Sequence, residues 1–296
     1  MKKEMMVTME QRADHITELL SERGFDYKVT YRKVWKNNTE MDGFSASKDG
    51  TSIAPTVYLN GESDEQLADI IERAMQKKIP EVEVSNIFTK EYFKTHLRPR
   101  LIQDNAINRE GLINADIAYI SLESLGLLIT LEISVDAIDD GSASIQLTYR
   151  HLDMVGYTVE EAYDIAVSNL EGQIEVSSMR EIIISMMGIP EDEADDVLPD
   201  DGCGMYVLST CDKRFGAAAL LCPKAYELLK EKMGTDEIYI LPSSVHEVIA
   251  IRKDTVMDAS VLLNMVQEVN GSQVAIQDQL ADAVYASIGG NLIKVA

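Results

Sequence analysis

The stretch Glu237–Lys253 (EIYILPSSVHEVIAIRK) places Ser244, His246 and Glu247 within four residues, the densest set of groups in the chain able to do nucleophilic or acid–base chemistry. A hydroxyl beside an imidazole, with a carboxylate in reach, is the equipment of a hydrolase: serine attacks, histidine takes its proton, and the acid orients the ring. The local pattern works against that use. Glu237–Leu241 reads as a strand buried on both faces, Pro242 ends it, Ser243–Ser244 turn the chain, and Val245–Arg252 reads as a second strand. Side chains alternate along a strand, so Ser244 and His246 share one face while Glu247 shares the other with Val245, Ile249 and Ile251. A bulge, or a distant acid such as Asp254 or Asp258, is needed to complete a triad. No G-x-S-x-G elbow exists in the chain. The competing reading is architectural, with the serines bonding backbone and His246 acting as a structural hydrogen-bonder.

Other chemistries find less support. A zinc-protease H-E-x-x-H motif requires histidine at 250, where Ala250 stands. Cys203, Cys211 and Cys222 are odd in number and lack C-x-x-C spacing, which points to reduced thiols in a cytoplasmic protein, with neither a disulfide nor a zinc site. Glu191–Gly202 holds seven acids in twelve residues but misses the calcium-loop pattern, and reads as a solvated linker. His96, Arg98 and Arg100 suit an anion site or, as the blander reading, ion pairs. No phosphate-cradling glycine loop is present, so no cofactor and no metal are expected.

The formal net charge of the 296 residues is −23, with 27 Lys and Arg against 50 Asp and Glu. Such a field repels phosphate backbones and anionic lipid surfaces, which argues against nucleic acid and membrane as partners and leaves a protein partner open. No apolar run approaches membrane-spanning length, and no signal-peptide pattern stands at the N-terminus.

The elements that position these groups follow from periodicity and caps. Thr8–Gln11, Ser63–Gln66, Thr158–Glu161 and Ser178–Glu181 have capping-box spacing and each precedes an apolar stripe of helical period. Residues 26–36 and 52–59 read as strands joined by a loop; 89–96 reads as a short helix, followed by an extended LRPRLI. Asp116–Leu122 reads as a further strand. In Leu127–Val135, Ile129, Leu131 and Ile133 face in while Thr130 and Glu132 face out, and Asp139–Gly141 has hairpin-turn chemistry. Met205–Ser209 and Ala217–Leu221 read as strands, Pro223 opens a helix ending at Gly234, and helices are expected from about Thr255 and over 276–286, with NLIKV as a last strand. The fold class is α+β (mixed α/β), antiparallel-rich, with strand–strand–helix units recurring in two lobes: residues 1–190, the acidic linker 191–202, and residues 203–296.

Four segments, IAPTVYLNG, MYVLSTCDKRFGAAALLC, EIYILPSSVHEVIAI and MVQEVNGSQVAIQDQLADAVY, stand in the order found in a domain-of-unknown-function family of anaerobic, often gut-dwelling, Gram-positive bacteria. The chain resembles that family over nearly its whole length, most specifically in Leu241–Glu247 and Val269–Val274. Members typically carry Asn after MYVLT where this chain has Cys211, so the position is not a reliable carrier of chemistry. Residues 127–170 are also similar in pattern to a second uncharacterised Gram-positive family. The resemblance implies a cytoplasmic bacterial protein and no particular activity. Taken together, these features favour a non-enzymatic binding or interaction module that uses the SSVHEV strand and the Asn270–Val274 turn. The alternatives are a hydrolase built on Ser244, His246 and Glu247, and an acidic mimic of nucleic acid.

Overall fold

Reciprocal caps open the helices where their spacing predicted. Thr8 with Gln11, Thr158 with Glu161, and Ser178 with Glu181 each exchange the two bonds of a capping box, satisfying amides that lack an intrahelical partner. Ser63 and Gln66 exchange the same pair. The computed structural model describes residues 7–48, 56–76, 84–138, 141–190, 204–255 and 258–296. The acidic segment 191–202 and Cys203 therefore lie outside the described residues, as do Asp139 and Asp140 of the expected hairpin turn.

One compact unit comprises Met1–Val82 with Ile138–Gly141, and the other Glu83–Ala137 with Ser142–Ala296. The first contains α1 (Met9–Glu22), β1 (Lys28–Lys36), β2 (Thr39–Ser47), β3 (Thr56–Tyr58) and α2 (Asp64–Gln76). Its sheet runs β1-β2-β3, all antiparallel. Where the sequence reading placed a loop after residue 36, β2 turns straight back on β1. Lys36 pairs with Thr39 across Asn37–Asn38, and Asn38 takes φ 62°, a left-handed conformation that asparagine tolerates better than other residues with a side chain. Phe44 and Ala46 of β2 then reach a core shared with Ile16 and Leu20 of α1 and Leu67 and Ile71 of α2.

The second unit holds α3 (Val84–Ile87), α4 (Lys90–His96), β4 (Leu97–Gln103), α5 (Ala106–Asn114), β5 (Tyr119–Leu122), β6 (Leu127–Ile138) and β7 (Gly141–Gln146). It continues through α6 (Tyr149–Val155), α7 (Val159–Glu171), β8 (Ile174–Ser178), α8 (Met179–Met187) and β9 (Met205–Thr210). Then come α9 (Pro223–Met233), β10 (Ile238–Leu241), β11 (Val248–Arg252), α10 (Ala259–Ser272), β12 (Tyr285–Ile288) and β13 (Asn291–Lys294). Among the described residues β4-β6-β5 form one sheet, with β7 also paired to β6, and β13-β12-β10-β11-β9-β8 form another. The fold class is α+β with antiparallel sheets. β8 pairs with β9 from Ile174↔Thr210 to Ser178↔Tyr206. Residues of both expected lobes, 1–190 and 203–296, therefore meet in one sheet.

Alternation along the six-stranded sheet sorts its apolar residues between two layers. Ile238, Ile240, Val248 and Ala250 share a core with Ala225 and Leu229 of α9. Leu241 and Ile251, with Tyr239 and Ile249, pack instead against Leu262 and Val266 of α10. Three expectations change here. Gly216–Leu221 is a 3-10 helix rather than a strand. Residues 276–286 form a short 3-10 turn (Ile276–Asp278) and then the start of β12, because Val284 and Tyr285 point into opposite layers. Thr130 and Glu132 of β6 are buried, at 0% and 2% exposure, so both faces of that strand are covered.

Trp35 is the single tryptophan and lies in β1, so its fluorescence reports on the first unit. Phe44→Ala, which empties a fully buried position there, is expected to cost about 3–5 kcal/mol. The check is the urea midpoint of the Trp35 transition; an unshifted midpoint refutes the assignment of Phe44 to this core.

Candidate functional site

His246 sits where three loops of the second unit meet. The strand expected from Val245 begins only at Val248, so residues 242–247 form a loop between β10 and β11. Pro242 denies the ladder a donor, and the serines turn the chain. The Ser244 N–H donates to the Glu247 carbonyl at 3.1 Å, and the Ser244 Oγ accepts from the His246 N–H at 3.0 Å. This is the local side-chain-to-backbone bonding by which serine competes with a strand. Ser244 is thus a turn former whose oxygen caps a backbone amide and makes no bond to the imidazole.

The imidazole is committed on one nitrogen. Its Nδ1 accepts the Phe215 N–H at 3.2 Å, which requires that nitrogen to be unprotonated, and its Nε2 faces Asp278 Oδ1 at 3.6 Å. The neutral ring therefore carries its proton on Nε2. In a catalytic triad the nitrogen facing the nucleophile must be the free acceptor; here that acceptor is spent on backbone. The acid that approaches His246 is Asp278. Asp254 pairs with Arg252 at 2.6 Å, Asp258 caps α10 through the Ser260 N–H, and the Glu247 carboxylate takes no part in the bonds made by His246. The three residues singled out by the sequence are neighbours without forming a triad.

Around the imidazole the backbone is strained and tightly locked. Lys213 and Phe215 take φ 55° and 49°, left-handed values that cost residues with a Cβ roughly 1–3 kcal/mol each. Asp212 holds the turn by accepting from the Arg214 N–H at 3.2 Å and the Thr210 hydroxyl at 2.9 Å. A Cβ on Gly216 would lie 2.3 Å from Ser209 Oγ and 2.5 Å from the His246 carbonyl. That absent side chain lets Ser209 Oγ donate to the His246 carbonyl at 2.8 Å and the Ala217 N–H to the Val245 carbonyl at 3.3 Å. From the far side, the Val245 N–H donates to the Asp278 carbonyl at 2.7 Å. The SSVHEV loop thus meets Asp278, which lies beyond the Asn270–Val274 stretch named from the sequence; Asn270–Ser272 belong to α10. Asn270 is buried there and bonds the Ala281 carbonyl and Asp282.

The arginines noted in the sequence flank this junction as ion pairs. Arg98 bonds Asp212, and Arg100 lies 3.6 Å from Glu132 with its guanidinium 3.7 Å above the Phe215 ring. Burial lowers the pKa of Arg100, opposed by the Glu132 charge. His96 stacks on Tyr92 and bonds its carbonyl at the end of α4, apart from that group. Among the described residues no cluster of His, Cys, Asp and Glu has the arrangement to hold a metal.

A cleft elsewhere in the same unit was not foreseen from the sequence. It has a volume of about 600 Å³ and opens between the β4-β6-β5 sheet and the β12–β13 hairpin. Leu101, Leu122, Leu125 and Leu127 contribute from β4, β5, β6 and the turn between the last two. Leu220 and Leu221 enter from the 3-10 helix, Ile238 from β10 and Leu292 from β13. Tyr163 and Tyr226 line one side, and Glu227, Lys230, Asp236 and Asn291 form the polar edge. Gly289 and Gly290 form the two-residue turn between β12 and β13 at φ 60° and 82°, the geometry favoured in tight hairpins. Both line the cleft, so the hairpin tip brings backbone and no side chain there.

Two reactive groups near the cleft, Tyr226 and Cys222, are tied up. The Tyr226 hydroxyl donates to the Leu220 carbonyl at 2.8 Å. The Cys222 thiol is directed at the Val167 carbonyl, and burial pushes its pKa up to about 12, so it carries almost no thiolate at neutral pH. On the polar edge Lys230 pairs with Asp236 at 2.8 Å and holds that carboxyl below the usual range. The only sequence signal for this site was the set of apolar residues at strand and helix positions, which any core would also produce.

Against known proteins, the chain belongs to a family of unknown function (DUF5688), whose model matches residues 9–286. No curated protein and no solved structure matches it.

The locked junction makes a direct prediction. Gly216→Ala is expected to destabilise the protein by about 3 kcal/mol or more, since backbone atoms of His246 and Thr210, besides the Ser209 Oγ, block the new methyl. Gly271→Ala, which meets nothing within 4 Å inside α10, is expected to leave stability unchanged or raise it by up to about 1 kcal/mol. Urea unfolding followed by circular dichroism compares them, and equal midpoints contradict the junction as described.

Proposed function

We propose that this DUF5688 protein is a non-enzymatic cytoplasmic binding module that holds a small, largely apolar molecule in the leucine-lined cleft of its second unit. The observation that carries this reading is the cleft itself: about 600 Å³, walled by leucines from four strands and a 3-10 helix, with a few polar groups at its edge. Ligand sites in proteins have that size and that mixture, in which apolar walls supply affinity and a small number of polar groups supply orientation. Transfer of apolar ligand surface out of water supplies roughly 25 cal/mol per Å², partly offset by the cost of association.

The hydrolase alternative has less behind it. Its nucleophile bonds a backbone amide, its base has spent the nitrogen it needs on Phe215, and its acid stands outside the cluster. The buried thiol and the tyrosine hydroxyl at the cleft are engaged with carbonyl oxygens. A binding role asks nothing further of these groups.

Titration with Nile red, a neutral apolar dye, tests the reading. Wild type is expected to bind it saturably, and Leu292→Trp, which places an indole in the cleft from the edge strand β13, is expected to weaken binding at least about tenfold, or 1.4 kcal/mol. The variant's thermal midpoint should stay within a few degrees, because Leu292 is only partly buried. Unchanged dye affinity in a folded Leu292→Trp protein would rule the cleft out as the binding site.

A further inference from the structure

The six-residue segment Gly216–Leu221 connects the two places described above. Its first residue is locked against His246 through the missing Cβ, and its last two, Leu220 and Leu221, line the cleft. As a 3-10 helix it spans roughly 12 Å at about 2 Å per residue, and Gly216 to Leu220 are all buried. Displacement at one end of so short and enclosed a rod is transmitted to the other, since packed interiors repack in discrete steps rather than deform smoothly. We propose that His246 is a proton-sensitive latch regulating the cleft, an inference that rests on the cleft being the binding site.

The latch is the bond from the Phe215 N–H to His246 Nδ1. An amide can only donate, so the bond exists only while Nδ1 is unprotonated. A proton taken up at Nδ1 sets two N–H groups against each other. Phe215 then loses the partner that holds it at φ 49°, a conformation it has reason to leave. Its carbonyl is also the acceptor for the Ala218 N–H that begins the 3-10 helix, at 3.1 Å. Release of Phe215 therefore loosens the start of the segment that ends in Leu220 and Leu221.

Charged groups face the imidazole from every side. Asp278 lies 3.6 Å from Nε2, and Glu247 is the next residue in the chain. Arg100 and Arg214 sit over the same Phe215 ring on which His246 stacks with centroids 5.2 Å apart. Glu132 pairs with Arg100, Asp212 with Arg98, and Lys213 with Glu175. His246 is a positioning residue in this scheme and touches no ligand.

The experiment follows two signals in the full chain from pH 8 to pH 5, the range in which imidazoles titrate: amide exchange protection at Phe215 by NMR, and Nile red affinity. In wild type, protection corrected for the intrinsic exchange rate is expected to fall about tenfold toward pH 5, the loss of one net hydrogen bond, and dye affinity is expected to change at least about threefold in step with it. His246→Asn keeps an acceptor oxygen near the Nδ1 position and cannot titrate, so both signals should stay flat, within about twofold. Constant Phe215 protection in wild type overturns the latch, and that reading needs no variant to fold. Protection that falls while dye affinity holds overturns the coupling to the cleft. If no dye binds at any pH, the cleft reading itself fails and the regulation falls with it, while the Phe215 signal still reports whether the bond breaks on protonation.

Discussion

The second unit depends on one steric constraint, the absence of a side chain at Gly216. The end of β9, Gly216 itself and the His246 loop some thirty residues further on pass so close there that a single methyl would overlap Ser209 Oγ, the His246 carbonyl and the Thr210 amide nitrogen. Because they can approach, the Ser209 hydroxyl satisfies a loop carbonyl, the Ala217 amide satisfies another, and His246 satisfies Phe215. Each of these groups would otherwise be a partly or wholly buried polar atom with no partner, a state that costs more than a hydrogen bond returns. Close approach and hydrogen-bond satisfaction are here one requirement met twice.

Charge is arranged with the same economy. A chain with 50 acids and 27 bases has carboxylates in surplus, and Arg98 and Arg100 are drawn into ion pairs where β4 meets the loop after β9. Glu132 is almost wholly enclosed and would be intolerable there without Arg100 and the Ser144 hydroxyl. Arg100 in turn lays its guanidinium on Phe215, the residue whose left-handed backbone His246 holds. The polar network and the strained loop thus share one aromatic ring.

The cleft has a different origin, arising where elements fail to fill space. The β4-β6-β5 sheet, the 3-10 helix and the β12–β13 hairpin each present aliphatic side chains toward a common volume, α9 adds Pro223 and Tyr226, and the Gly289–Gly290 tip contributes no side chain. Tyr285 ties the hairpin to the first of these sheets by donating to the Leu125 carbonyl at 3.0 Å. An apolar space of that kind is kept open by the rigidity of its walls, and most of the walls here are strands and helices.

Elements governed by near neighbours in the chain were legible from the sequence. Capping boxes, the proline that opens α9 and the glycine that closes it depend on contacts within a few residues, and the strands Met205–Thr210, Ile238–Leu241 and Leu97–Gln103 show in their own composition. Where longer-range contacts compete, the sequence misled. Ala217–Leu221 has strand composition but follows a left-handed Phe215 and becomes a 3-10 helix. The alanine-rich run before Ile288 has helical composition but is drawn into a sheet between β10 and β13. Likewise, Ser244, His246 and Glu247 were identifiable as residue types, but their roles depended on Phe215 and Asp278, some thirty residues away on either side. What the sequence determined alone is the α+β class, the acidic surface and the local caps, because these follow from composition and short-range bonding. The pairing of β8 with β9, the junction at Gly216 and the cleft were decided only by the tertiary structure, because each exists only where segments distant in the chain meet.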